Sequence, residues 1–169
     1  MAEVNWYNFV WFALAIPKHS FILWLVFRDA LITKEKMYTW GYTRPTLCLF
    51  CFACQENRDH IFFRCSFSRH VWRNVIVECL IFDPPLDWEA IDSWSNVHLK
   101  GRSLHATICR LCFGATIYHL WRHRNDLLHG NTPCSDELLG QQVKWEVRSR
   151  LIARCSAKKI VNSILLVRK

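Results

Sequence analysis

The sequence predicts a mainly α-helical fold, in which a small helical domain is clipped by a loop of cysteine and histidine residues and is followed by a long helical hairpin. Apolar residues recur every three or four positions over several long segments, as in amphipathic helices. Proline and glycine clusters separate these segments. Hydrophobic residues make up 51% of the 169 residues and charged residues only 21%, so the chain can form a core and is not of a disordered type.

The N-terminal segment predicts three helices. Residues 4–15 are rich in aromatic side chains, and Pro17 ends this first helix because its ring cannot continue one. Residues 18–30 form the second helix, with apolar side chains at helical steps. Thr33 is the expected N-cap of a short third helix that ends at Gly41, where a left-handed residue is favoured.

A fourth helix is predicted from Ser66 or Ser68, either of which can cap it, to about Phe82. Two adjacent apolar rows give it a wide buried face. These rows are Phe67, Val71, Val75 and Cys79, and Trp72, Ile76 and Leu80. Asp83-Pro84-Pro85 ends the helix because the prolines lack the amide hydrogen that a helix needs.

The C-terminal half predicts a helical hairpin. Asp87 is expected to cap a short helix through Trp94, and a long helix follows over residues 101–128. Its buried stripe is predicted to contain Leu104, Ile108, Leu111, Ala115 and Tyr118. Ser135 opens a last helix that runs to about Ala157, with acidic residues in its first turn, as the helix dipole favours. Residues 160–167 are mostly apolar and are expected to form a final strand or a frayed tail.

We expect three segments: a helical domain over residues 4–82, a linker with a short helix over 83–100, and a basic helical region over 101–169. The net charge of +8 is unevenly distributed among them. Residues 1–99 carry nine Lys/Arg against ten Asp/Glu, a net charge of −1, whereas residues 100–169 carry thirteen against four, a net charge of +9. The basic region therefore predicts an anionic partner, nucleic acid first, although a solvated basic face would have the same composition.

The chain has nine cysteines, which is an odd number, and its first segment has no positively charged leader. Both observations predict a reducing compartment. We therefore expect an intracellular protein of the nucleus or cytoplasm, not a secreted one. Residues 9–16 and 21–27 are apolar, but Pro17 and Lys18 lie between them and each run is much shorter than the ~20 residues of a membrane span. Two buried helices are the expectation, with no membrane partner.

Four residues with the spacing C-x2-C-x8-H-x4-C are the candidate metal ligands: Cys48, Cys51, His60 and Cys65. Three thiols and one imidazole are a standard composition of closed structural zinc sites. A tight turn can direct the first two sulfurs to one point, and one helical turn can return the second pair. We therefore predict a structural Zn²⁺ site in the loop 46–65, with His70 and the nearby Cys54 as rival donors.

A second set, Cys109, Cys112, His119 and His123, has metal-like spacing but is not predicted to bind one zinc ion. On a single helix Cys112 and His119 lie about 10 Å apart along the axis, at ~1.5 Å per residue. Zinc–ligand bonds of about 2.0–2.3 Å cannot bridge that distance. Buried thiols and two partly exposed histidines are the expectation.

The segment CLFCFACQENRDHIFFRCSFSRHVW resembles the zinc-binding domain that follows the reverse transcriptase in plant-type non-LTR, LINE-like retrotransposons. The four candidate ligands match that family's ligand positions. Upstream, Pro17-Lys18, Trp24 and Leu31-Ile32-Thr33 stand where the family has similar residues, and downstream IYHLWRHRND is similar to its Trp-x-x-Arg-Asn helix. Leu49 and Phe52 stand where the family usually has proline and glycine. These differences affect the expected conformation of the turn and not the identity of the ligands.

The resemblance implies a zinc module related to RNA-directed DNA polymerases, which assists binding of RNA or DNA and has no catalysis of its own. The sequence is consistent with this expected lack of catalysis, because it contains no Gly-rich phosphate loop, no metalloprotease motif and no paired polymerase aspartates. We expect no small-molecule substrate, and a reverse transcriptase polypeptide is a second candidate partner. A protein-interaction or scaffold module, or a decayed retroelement fragment, is the alternative.

The candidate nucleic-acid-binding residues flank the apolar row of the last helix and could form a basic ridge beside it. They are Lys144, Arg148, Arg150, Arg154, Lys158 and Lys159. The aromatic residues Phe62, Phe63, Phe67 and Trp72 beside the zinc loop could stack on bases, but at helical spacing they more often form a small core.

Overall fold

The structure, a computed structural model, describes residues 7–154 except 44, 80, 82, 84 and 86, and only the backbone of residue 92. In these residues it is mainly helical, as the sequence predicts, and contains no strand beyond one isolated antiparallel bridge between Leu47 and Gln55. The helices are α1 (Tyr7–Val10), α2 (Pro17–Phe27), α3 (Lys34–Thr39), α4 (Ser66–Ile76), α5 (Ile91–His98), α6 (Leu104–Leu128) and α7 (Asp136–Arg154). A π-helical turn (His60–Arg64) precedes α4, and a 3-10 turn (Val77–Cys79) follows it.

The first predicted helix is much shorter than expected. Helix α1 ends at Val10, and residues 11–16 are not helical. Side chains from other helices satisfy the carbonyl groups that a longer helix would have used internally. Ser20 Oγ donates to Val10 O at 2.7 Å, and Arg150 donates to the carbonyls of Leu14 and Ala15 at 2.9 and 2.8 Å. Tertiary contacts therefore replace helical hydrogen bonds in this segment.

The next two helices follow the sequence signals closely. Pro17 is the first residue of α2, where its missing amide hydrogen costs nothing. Thr33 caps α3, and its side chain accepts from Lys36 N, as predicted. The predicted cap of α4 is wrong: Cys65 is the N-cap residue, while Ser68 Oγ donates to Ile61 O inside the core.

The predicted buried face of α4 is confirmed except at Phe67, which is half-buried, and at Leu80, which lies outside the described residues. Val71, Trp72, Val75, Ile76 and Cys79 are all buried. The helix after the prolines begins later than expected, because Asp87 Oδ1 accepts from Ala90 N at 2.9 Å and holds a turn before α5.

Helix α6 is buried on nearly all sides, so the single predicted stripe is too narrow. Leu111 and Ala115 of that stripe are buried, but so are Ala106, Phe113, Ile117 and Leu120 on other faces. Helices α2, α4 and α7 all contact α6, which leaves little of its circumference exposed. A helix of this kind carries no strong amphipathic pattern, and its burial is therefore hard to predict from periodicity.

Helix α7 packs against both α4 and α6 and completes the core. Its backbone lies close to α4 at Gly140, where an added Cβ atom would lie 3.1 Å from Asn74 Cβ. One hydrophobic core contains residues of α2, α4, α6 and α7, so the first and last predicted segments share their interior. The predicted strand or tail at 160–167 lies outside the described residues.

None of the described helices combines the length and the apolar character needed to cross a lipid bilayer.

Candidate metal centre

The loop 46–65 begins with a short turn that positions the first two cysteines. Cys48 N donates to Cys54 O at 2.8 Å, and Glu56 N donates to Thr46 O at 2.8 Å, so the two sides of the turn are paired. Within the turn, Phe52 N donates to Cys48 O at 3.0 Å. Phe52 has a φ of 54°, which is in the left-handed region. The turn thus uses the backbone conformation that glycine adopts most easily, although the residue is phenylalanine.

The π-helical turn positions the other two donors. Asn57 Oδ1 accepts from His60 N at 2.9 Å at its start, and Cys65 N donates to His60 O at 2.8 Å at its end. Because Ile61, Phe62 and Phe63 of this turn are almost completely buried, its orientation is fixed by the core. The imidazole and the last thiol are consequently held on the same side as the first two sulfurs.

Cys48, Cys51, His60 and Cys65, which we call the Cys3His cluster, meet at one point. Their ligand atoms all lie within 4.8 Å of one another. Cys48 Sγ is 4.0 Å from Cys65 Sγ, and Cys51 Sγ is 3.3 Å from His60 Nε2. Tetrahedral zinc with ordinary bond lengths separates two sulfurs by about 3.8 Å and a sulfur and a nitrogen by about 3.6 Å. The donor set and spacing therefore fit a zinc ion.

Burial and hydrogen bonding set the protonation of these donors. Cys48 and Cys65 are buried, and the hydrogen bond between their sulfurs raises the pKa of the Cys48 thiol and lowers that of Cys65. Burial lowers the pKa of His60, which keeps its imidazole neutral at pH 7. Phe50 N donates to Cys48 Sγ at 3.4 Å, and Cys65 sits at the N-terminus of α4. Both arrangements act in favour of the thiolate, the form that binds metal, although at Cys48 the donation from Phe50 offsets only part of the rise in the pKa.

The two rival donors lie outside the cluster. Cys54 is exposed, and its backbone carbonyl rather than its thiol contributes to the turn. His70 lies on the solvent side of α4, and its Nδ1 is 3.2 Å from Asp136 Oδ2 on α7. The arrangement therefore selects His60 over His70.

A buried ion pair beneath the loop is absent from the sequence-based prediction. Glu56 is fully buried, and its Oε1 accepts from Arg124 Nη2 at 2.6 Å, from Arg124 Nε at 3.1 Å and from Lys34 N at 3.0 Å. One carboxylate oxygen thus joins the loop to α6 and to the first turn of α3, whose amide groups have no helical partner. Arg124 is the arginine of the Trp-x-x-Arg-Asn motif. This motif was therefore the feature of the sequence that could have pointed to the residue making the contact.

The aromatic residues at the end of the loop and after it in the sequence are part of the hydrophobic core. Phe62, Phe63 and Trp72 are almost fully buried, and Trp72 Nε1 donates to Phe62 O at 2.6 Å. The base-stacking alternative therefore does not apply to these three side chains. Phe67 is half-buried and stacks on Phe50, with ring centroids 4.8 Å apart.

The set on the long helix does not converge, as predicted, but its histidines are buried rather than partly exposed. His119 Nε2 lies 2.6 Å from Glu146 Oε2 of α7, whereas the His123 ring packs against both Phe50 and Phe67, which also stack on each other. The two histidines thus point to different neighbours. They are buried because α7 and the loop 46–65 cover this end of α6.

Several of the predicted nucleic-acid-binding residues are engaged within the molecule. Lys144 Nζ and Arg148 Nη2 lie 3.4 and 3.0 Å from the carboxylate of Glu78, and Arg150 binds the carbonyls that follow α1. Arg154 is exposed at the end of α7. The remaining two, Lys158 and Lys159, lie outside the described residues.

A cleft of about 880 Å³ runs between α6 and α7. Four cationic and two acidic side chains line it, together with His119 and Trp145. The charged residues are Lys18, Arg122, Lys144 and Arg148, and Asp126 and Glu146. Trp145 is 71% exposed, which is unusual for so large an apolar side chain. The cleft therefore has an excess of positive charge and an accessible aromatic ring.

Residues 1–72 match the model of a protein family described as zinc-binding in reverse transcriptase. The matched segment contains the whole Cys3His cluster and ends at Trp72 on α4. No curated protein and no solved structure matches the chain. The resemblance to reverse-transcriptase zinc-binding domains is thus confirmed over residues 1–72, and the cluster within them can hold a metal ion.

Proposed function

We propose that the Cys3His cluster holds one zinc ion and that residues 1–72 are a structural zinc module. The convergence of three sulfurs and one imidazole nitrogen at tetrahedral spacing carries this proposal. Four protein ligands leave no position for water or substrate. The ion would therefore supply folding free energy and no chemistry.

Metal analysis of the purified chain tests this proposal. We expect one zinc ion per chain that remains after dialysis against a weak chelator. Substitution with Co²⁺ should give the charge-transfer absorption of thiolate ligands, which nitrogen and oxygen donors alone do not produce. A chain that folds without tightly bound metal would contradict the proposal.

We further propose that the chain assists the binding of RNA or DNA, through the cleft between α6 and α7. The excess of positive charge in the cleft supports this, because phosphate contacts supply most of the sequence-independent affinity for nucleic acids. The exposed ring of Trp145 adds a surface on which a base can stack. Arg154 continues the basic surface along α7.

The salt dependence of binding tests the nucleic-acid proposal. Replacing Arg122, Lys144 and Arg148 by Gln should flatten the plot of log affinity against log salt for single-stranded RNA by about 2 units, at ~0.7 per phosphate. The matched control replaces Lys100 and Arg102, which are exposed and do not line the cleft. An equal change per replaced charge, which would be about 1.4 units for the control, would show a general charge effect and would contradict a role for the cleft.

A protein-interaction or scaffold module is the second candidate function. The use of Lys144, Arg148 and Arg150 in contacts within the chain favours it, because these residues then have a structural reason to be basic. Absence of RNA and DNA binding at low salt would make this candidate the better one.

We propose that the chain has no catalysis of its own and derives from a plant-type non-LTR retrotransposon. The match to a zinc-binding family, together with the lack of polymerase motifs in the sequence, supports the first part. The purified chain should give no primer extension on an RNA template with Mg²⁺ or Mn²⁺. Reproducible DNA synthesis by a contaminant-free preparation would overturn this proposal.

A further inference from the structure

Three ligand-type side chains meet at the inner end of the cleft, far from the Cys3His cluster in sequence. They are His19 of α2, His119 of α6 and Glu146 of α7, which we call the His2Glu cluster. Glu146 Oε2 lies 2.6 Å from His119 Nε2 and 3.3 Å from His19 Nε2. All three ligand atoms lie within 4.8 Å of one another. Three packed helices therefore direct two nitrogens and one oxygen at a single point.

The imidazole of His19 has an unused polar atom at this point. The residue is 3% exposed, and its Nε2 forms no hydrogen bond within the part of the chain that the structure describes. A buried polar atom without a partner is costly, and such atoms call for an explanation. Nε2 lies 3.3 Å from Glu146 Oε2 without hydrogen-bond geometry, and a cation bound to both atoms would give Nε2 the partner that it lacks.

The protonation of the cluster suits a cation. Burial lowers the pKa of His19 to about 4 and also lowers the pKa of His119, so both rings carry a lone pair at neutral pH. Although burial opposes ionisation of Glu146, hydrogen bonds from Lys18 and His119 lower its pKa to about 2. Two neutral imidazoles and one carboxylate are the protonation states that metal ligation requires.

We propose that the His2Glu cluster is a second metal site, which takes one divalent transition-metal ion of the Zn²⁺ class. Two histidines and one glutamate are an established ligand set for zinc sites that keep a position open. A tetrahedral ion separates such donors by about 3.4 Å, so His119 and Glu146 have to move apart by under about 1 Å. Unlike His19, these two residues also line the cleft, and the open coordination position would face it.

Lys18 gives the proposal a distinguishing feature. Its Nζ lies 2.6 Å from Glu146 Oε1, the oxygen that the two histidines leave free. A neighbouring ammonium group repels a metal cation, and this repulsion predicts weaker binding than at the Cys3His cluster. Replacing Lys18 by Gln should therefore tighten the second metal ion. If the cluster were an ordinary ion-pair network without a metal ion, Lys18→Gln would only remove a partner of Glu146 and would strengthen no metal binding.

Titration with Co²⁺, with one zinc ion already held per chain, tests the proposal. We expect a second equivalent whose visible spectrum lacks thiolate charge transfer, which separates it from the Cys3His cluster. Glu146→Gln should weaken this second equivalent at least about tenfold, since even outer-shell changes cost ten- to a hundredfold. Lys18→Gln should strengthen it. Glu137→Gln, an exposed carboxylate on the same helix, is the matched control and should bind as the wild type does.

Each possible result of the Co²⁺ titration either supports or overturns the second metal site. A second equivalent that is weakened by Glu146→Gln, strengthened by Lys18→Gln and unchanged by Glu137→Gln supports the site. Failure of the wild-type chain to bind a second equivalent up to about 1 mM Co²⁺ overturns it. Equal binding by the wild type and Glu146→Gln also overturns it. Both variants change partly exposed side chains, and helical content measured by circular dichroism confirms that they fold.

Discussion

The Cys3His and His2Glu clusters are assembled in opposite ways. The first takes all its donors from the loop 46–65, whereas the second joins residues from α2, α6 and α7 that are up to 127 positions apart. Local hydrogen bonds shape the first, such as those from Phe52 N to Cys48 O and from Cys65 N to His60 O. The second exists only because three helices pack together. The comparison shows that one fold can bring ligands together by spacing or by topology.

The two clusters also differ in chemistry. The Cys3His cluster offers soft donors, mostly buried, with no position left open. The His2Glu cluster offers nitrogen and oxygen donors at the inner end of a cleft, beside the ammonium group of Lys18. We therefore expect tight structural binding at the first and weaker, exchangeable binding at the second. Four substitutions test this difference between the clusters.

The largest effect is expected from removing one thiol of the Cys3His cluster. Cys51→Ser should lose the zinc ion and unfold the loop 46–65, because structural zinc sites contribute ~10–16 kcal/mol of apparent binding energy in small peptides. Metal content and amide hydrogen exchange measure these effects. Cys54→Ser, three positions away on an exposed thiol, is the control and should keep the metal. The opposite pattern would show that Cys54 is a ligand and Cys51 is not.

A second change tests how far the local cluster depends on α6. Arg124→Met leaves the carboxylate of Glu56 buried without its partner and should cost about 3–5 kcal/mol in the free energy of unfolding. Urea denaturation measures this cost. The double variant Glu56→Gln/Arg124→Met removes both charges and should recover much of the loss. A single variant as stable as the wild type would mean that the ion pair does not hold the loop on the helix.

The pH dependence of stability probes the His2Glu cluster in the absence of added metal. The pKa of His19 falls from its ordinary value of 6.5 to about 4 on folding. The contribution of neutral His19 to the free energy of unfolding is therefore complete above pH 6.5. It is lost as the pH falls towards 4, because the unfolded chain binds the proton at a higher pH than the folded chain does. This contribution is about 3 kcal/mol. His19→Gln should remove that part of the acid destabilisation, as measured by urea denaturation at pH 7 and pH 4.

The surroundings of His19 and a control complete this test. Its neighbours are Lys18, His119 and Glu146, and the pKa of Glu146, about 2, keeps that carboxylate ionised throughout the range. His129→Gln, an exposed histidine at the end of α6, is the matched control. If His19→Gln and the wild type lose the same stability between pH 7 and pH 4, His19 does not titrate as a buried neutral group.

The smallest effect concerns the turn of the Cys3His cluster. Phe52→Gly should stabilise the chain by about 0.5–1 kcal/mol, because glycine adopts the left-handed conformation without the strain of a Cβ atom. The Phe52 side chain is 67% exposed, so little packing is lost. Leu49→Gly, in the same turn but without a positive φ, should give no gain. Thermal unfolding of the zinc-loaded proteins measures the difference, and a destabilised Phe52→Gly would show that the ring packs on the turn.

The Cys3His cluster could be predicted because its information is local. Spacing placed Cys48 and Cys51 on one turn, and the family resemblance chose His60 over His70 as the partner of Cys65; the structure brings these four together. The short α3 was predictable for the same reason, since its cap Thr33 bonds within its own helix. Interactions between residues a few positions apart depend on backbone geometry that the residue types themselves dictate.

Other features could not be read from the sequence because they depend on which helices pack together. The ring of His119 could have faced solvent, and only the packing of α7 on α6 places Glu146 beside it. Burial of α6 on nearly all sides follows from its three neighbours and not from a periodic pattern. Likewise, residues 11–16 have a helical composition but are not helical, since Arg150, more than 130 positions later, binds their carbonyl groups.

The residue pattern was therefore sufficient for the helical class and for the Thr33 cap of α3, and together with the family resemblance it indicated the donors of the Cys3His cluster. The packing of the helices sets the partner of each buried charge, such as Arg124 for Glu56, and brings His19 to Glu146. These two kinds of feature differ in the range of the interactions that produce them. Capping and turn hydrogen bonds act within a few residues, whereas desolvation of a charged or polar side chain depends on every element that covers it.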